Sequence, residues 1–114
     1  MDSLFNKFKH ALQGLNDAFH DKSVLLQLLI GSCVITFGLI YGFTALEWVL
    51  ILCVILFVVG AEIFNTAIEI LCNKVEYKQD PLIRQIKDLG AAAVLVVSMV
   101  AVIIGLAVLK GVFR

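Results

Sequence analysis

Residues 49–72 read VLILCVILFVVGAEIFNTAIEILC, an apolar run interrupted by two charges, Glu62 and Glu69. Such a run exceeds the roughly 20 residues of helix that cross a bilayer core. Working outward, Val24 to Phe43 and Leu89 to Leu109 are also free of charge. A chain of 114 residues that is 61% hydrophobic and 16% charged, with its apolar residues gathered in blocks, is not a small soluble domain. The pattern predicts an all-α integral membrane protein in one domain over 1–114. Transmembrane helices are expected at 24–43, 46–72 and 89–109, with 73–88 as a loop. The apolar residues near the start are interleaved with Lys7, Lys9 and His10, so no cleavable signal is expected there.

The first twenty residues place Leu4, Phe5, Phe8, Leu12, Leu15 and Phe19 on one helical face and Lys7, Lys9, Gln13, Asn16, Asp17 and His20 on the other. This amphipathic pattern predicts a surface helix over 1–21, lying at the headgroup level. Charge balance sets the topology. Lys7, Lys9 and Lys22 precede the first span, Lys74, Lys78, Arg84 and Lys87 lie between the second and third, and the link between the first two has no Lys or Arg. The N-terminus and the 73–88 loop are therefore expected to be cytoplasmic and the C-terminus outside. Cys33, Cys53 and Cys72 all fall within spans and read as buried free thiols without metal spacing. Gly38 with Gly42, and Ala101 with Gly105, are small-residue pairs that permit close helix approach.

The informative residues are polar. At about 100° per residue, Glu62, Asn65, Thr66, Glu69, Asn73 and Glu76 share an arc of roughly 100°. A carboxylate inside a bilayer costs a few kcal/mol, so such groups face a partner, a wet cavity or a site. Asn65 and Thr66 read equally as interhelical hydrogen-bond glue or as positioning residues, and Glu76 as a solvated loop residue. A second constellation is Lys87-Asp88 at the start of the third span. Alone, it reads equally as a snorkelling Lys beside a helix-starting Asp, or as a cation that meets phosphate beside an orienting acid.

The string Glu62-Ile63-Phe64-Asn65-Thr66-Ala67-Ile68-Glu69, followed by Lys87-Asp88 and Gly90-Ala91-Ala92-Ala93, resembles the small integral-membrane prokaryotic diacylglycerol kinase and undecaprenol kinase family. His10-Ala11 with Gly14-Leu15 is a weaker likeness. The resemblance implies a homotrimer in a prokaryotic inner or plasma membrane, with sites between subunits at the cytoplasmic boundary. It implies ATP as phosphoryl donor, Mg2+ as cofactor and a lipid alcohol as substrate, with no nucleic-acid partner. Glu62 then falls on the general-base position and Glu69 on a metal-ligand position that also contacts ATP. Lys87, Asp88, Lys78, Gln79, Asp80 and His10 fall on ATP-contact positions.

Three positions depart from the family pattern. Lys22 stands where a second metal-binding Glu is usual, with Asp21 beside it as the substitute ligand; Asn73 replaces an Asp and Gln13 an Arg. No G-x-x-x-x-G-K-[ST] string is present, so a conventional phosphate loop is excluded. A competing reading, a small oligomeric transporter or proton channel, also places acids on one helix face. It leaves Lys87-Asp88 at the membrane boundary without a task.

Overall fold

The structure is a computed structural model that describes residues 3–75 and 80–114. Four helices follow one another: α1 (Ser3–Ala18), α2 (Lys22–Tyr41), α3 (Ala45–Val75) and α4 (Pro81–Leu109). Each of the last three is long and apolar enough to cross a membrane. Short connections make α2, α3 and α4 run alternately up and down. The start of α2, the end of α3 and the start of α4 thus share one end of the bundle.

Side chains fix where the helices begin. Asp21 caps α2, its Oδ2 accepting the Val24 N–H at 3.2 Å. Thr44 and Glu47 form a capping box ahead of α3: the Thr44 N–H donates to Glu47 Oε1 at 2.9 Å, and the Glu47 N–H to Thr44 Oγ1 at 3.3 Å. Asp80 caps α4, accepting the Leu82 N–H at 2.9 Å, and Pro81 fills the first turn. Proline suits that position because its missing N–H has no intrahelical partner there anyway. Residues 81–88, expected as loop, are consequently the first two turns of α4. The wet ends of α3 and α4 are continuous with the apolar segments rather than hinged to them.

The central element is α3, which packs on both α2 and α4. Its buried residues are Glu47, Ile51, Val54, Val58, Glu62, Asn65 and Cys72, a single seam at helical spacing. Toward one end the seam meets Phe43 and Val108, with Val34, Trp48, Ile104 and Phe113 packed around them. Most large apolar residues of α2 and α4 face outward, which a lipid environment permits and water does not. The Gly38/Gly42 pair does something other than join two helices. Gly42 is the left-handed cap of α2 at φ 89°, and Gly38 is covered by the rings of Phe43 and Trp48. A Cβ on Gly105 would meet nothing within 4 Å, so that small residue borders open space.

Candidate functional site

The polar stripe of α3 lies at the end of the bundle where α2 and α4 start. Glu62 and Asn65 are each only 8% exposed, whereas Glu69, one turn further along, is open. Covering Glu62 is the start of α2. Ser23 lies beside its carboxylate, and Asp21 and Glu69 are neighbouring acids. Asp21 is held against α3, since the Thr66 hydroxyl donates to its Oδ2 at 3.2 Å. The same oxygen caps α2. One carboxylate therefore sets both where α2 begins and where it touches the stripe.

On the other side, Asn65 packs on α4 at Gly90. A Cβ added there would overlap Asn65 Oδ1 and sit 3.5 Å from Ile68 Cδ1. Asn65 Oδ1 is buried without a hydrogen-bond partner among the described residues. It occupies the space that the missing Gly90 side chain leaves. The antiparallel register set by this contact brings Lys87, one turn before Gly90, level with the turn that carries Glu69. Lys87 is half-buried, Asp88 exposed, and among the described residues Glu69 and Lys87 form no ion pair with each other. An anion entering between α3 and α4 would find an ammonium with no ion-pair partner among the described residues, and an open carboxylate.

The sequence-derived candidates thus divide. Asp21, Glu62, Asn65, Thr66 and Glu69 come together around the start of α2, and Lys87 joins them through the Gly90 contact. Asp80 serves as the cap of α4. His10, exposed on α1, shares a 3.3 Å hydrogen bond with Gln13 and has no hydrogen bond to the stripe among the described residues. Lys78 and Gln79 lie outside the described residues. A cleft of ≈ 380 Å³ separates the end of α1 from α3, with Asp17, His20, Asp21 and Thr66 on its wall. Sequence reading missed Ser23 as a neighbour of Glu62 and the capping role of Asp21. An Asp just before an apolar helical run is a helix-start signal that could have revealed the cap.

Among the described residues no three His, Cys, Asp or Glu side chains gather as a metal site. Glu69 and the second carboxylate oxygen of Asp21, Oδ1, are nonetheless hard oxygen donors. They fit Mg2+, which takes one or two carboxylates and completes its shell with water and phosphate oxygens.

The profile of the prokaryotic diacylglycerol kinase family matches residues 9–109. The chain is similar to the diacylglycerol kinase of Haemophilus influenzae, 30% identical over 96 residues, covering 82% of this chain and 80% of that one. It is also similar to the undecaprenol kinase of Bacillus subtilis, 29% identical over 107 residues, covering 93% of this chain and 87% of that one. No solved structure gives a significant match.

Proposed function

This chain belongs to the prokaryotic diacylglycerol kinase family and is a lipid kinase, and we propose that it transfers the γ-phosphoryl group of ATP to the hydroxyl of diacylglycerol or undecaprenol at the cytoplasmic membrane face. One observation carries the reading. A carboxylate held away from water, Glu62, lies about 10 Å deeper along α3 than the open Glu69, from a rise of ~1.5 Å per residue. The deeper acid suits a lipid hydroxyl and the shallower one suits a soluble nucleotide.

In this mechanism Glu62 accepts the hydroxyl proton as the lipid oxygen attacks the γ-phosphorus, and ADP leaves on the opposite side. Ser23 and the Asp21–Thr66 contact hold the α2 start over Glu62 and exclude water from it. Asn65, wedged at Gly90, sets the height of Lys87, whose ammonium neutralises phosphate oxygens, with Asp88 and Asp80 as further nucleotide contacts. Glu69, with Asp21 as second donor, would hold Mg2+, which supplies charge neutralisation of the β- and γ-phosphates. His10, Lys78 and Gln79 complete the nucleotide contacts.

Placement of α1 on the membrane surface is supported by the exposed apolar face of Leu4, Phe5, Phe8 and Leu12. Assembly as a homotrimer is what the resemblance implies, and the openness of Glu69 and Asp88 supports a site completed by a neighbouring subunit, because three thin helices cannot wall off a nucleotide alone. The experiment is phosphorylation of several lipid alcohols in parallel with radiolabelled ATP in detergent. Lipid-dependent transfer of label is the expected result. ATP hydrolysis without a labelled lipid product, or no use of ATP at all, overturns the proposal.

A further inference from the structure

The end of the bundle remote from Glu62 holds a second buried acid. The packing runs α2 on α3 and α3 on α4. Between α2 and α4 lies an apolar groove of ≈ 350 Å³, floored by Ile51, Val54 and Val58 of α3. A further ≈ 430 Å³ of groove reaches Phe43, Val108 and Leu109 at the far end. Two helices divided in this way need a tie, and the segment after α4 provides one.

Gly111, at φ 75°, turns the chain back. Its N–H donates to the Val108 carbonyl, and the Val112 N–H to the Ala107 carbonyl, both at 3.0 Å. This is a Schellman motif with glycine at the left-handed position. The reversal packs Phe113 against the cluster of Phe43, Ile51 and Val108. Arg114 then reaches Glu47, whose side chain is 0% exposed. Arg114 Nε lies 3.2 and 3.1 Å from the two carboxylate oxygens, and Nη2 lies 3.0 Å from Oε1. The same Nη2 donates to the Gly42 carbonyl at the end of α2 at 2.7 Å, and the guanidinium stands 4.8 Å from the centre of the Tyr41 ring.

We infer that Gly111–Arg114 is a latch, tying the end of α2 to the end of α4 through the Glu47 carboxylate of α3 and holding the groove between α2 and α4 at a fixed width. Two further features belong to it. The Thr44 capping box satisfies the remaining capacity of Glu47 Oε1, so the buried charge has a full set of donors. Glu47 also lies about 22 Å along α3 from Glu62, at ~1.5 Å per residue, which separates the latch from the chemistry.

The competing account is that Glu47 merely closes its capping box and Arg114 is a surface arginine. Thermal unfolding of the purified full chain in one detergent, compared across Glu47→Gln, Arg114→Gln, Arg114→Lys and the Glu47→Gln/Arg114→Gln double variant, separates the two. Removing Arg114 alone strands a buried carboxylate, whereas removing both charges does not. Arg114→Gln should give the lowest midpoint, on the order of 10 °C below the parent. The double variant should recover part of that loss, and Arg114→Lys should fall between, because an ammonium cannot span both oxygens. A parental midpoint for Arg114→Gln, or simple additivity in the double variant, overturns the latch. This readout needs no substrate, so it stands apart from any outcome of the lipid phosphorylation assay.

Discussion

Gly90→Ala is the most informative single substitution. Gly90 lies inside α4, where alanine gains about 1 kcal/mol of helix propensity over glycine. Against that gain, the new methyl group would occupy the space of Asn65 Oδ1, with Asn65 Cγ and Ile68 Cδ1 both 3.5 Å away. To restore an ordinary C···O separation of about 3.3–3.6 Å, the amide or α4 must withdraw by on the order of 1 Å. Overpacking of this kind costs about 1–3 kcal/mol, so the net loss is at most about 2 kcal/mol and the protein stays folded. Function is the more sensitive readout. Asn65 is on the Glu62 stripe and Lys87 is one turn before Gly90, so either movement changes the distance between the acids and the ammonium. A misplacement of about 1 Å can cost on the order of 10²-fold in rate. The expected result is a melting midpoint no more than about 10 °C below the parent and lipid phosphorylation lower by about 10- to 100-fold. Full turnover with a raised midpoint would show that the Asn65–Gly90 contact does not position the site.

Three other outcomes are expected from the same geometry. Glu62→Gln should bind ATP nearly as the parent does and turn over about 10²–10⁴-fold more slowly, while Lys87→Ala should chiefly raise the KM for ATP; the reverse pattern exchanges their roles. Glu69→Gln should weaken the response of the rate to added magnesium, and calorimetry showing unchanged binding of magnesium–ATP refutes the ligand assignment. Asp21→Asn keeps an oxygen for the Val24 N–H and the Thr66 hydroxyl, so its stability should match the parent within about 1 kcal/mol, whereas Asp21→Ala loses a cap worth about 0.5–2 kcal/mol. A magnesium response that is unchanged in Asp21→Asn removes this residue from the metal site.

Three long helices were legible in the sequence because a bilayer makes one demand, about 20 apolar residues in a row, and composition answers it without reference to contacts. The acid stripe was legible as well, since helical period alone puts Glu62, Asn65, Thr66 and Glu69 on one side of α3. Local signals were present but passed over. Asp80-Pro81 is a cap followed by a first-turn proline, and Thr44 with Glu47 is a capping box. Reading Pro81 as loop punctuation shortened α4 by two turns. What only the tertiary structure decided is how the acids are held. The Thr66 hydroxyl reaches Asp21 across 45 residues and Arg114 reaches Glu47 across 67, while Asn65 fits against Gly90 because that residue has no side chain. Periodicity specifies which face a residue occupies, but not which residue of another helix it meets. That choice depends on how the helices cross and on their relative height, which packing of side chains sets once the helices have formed.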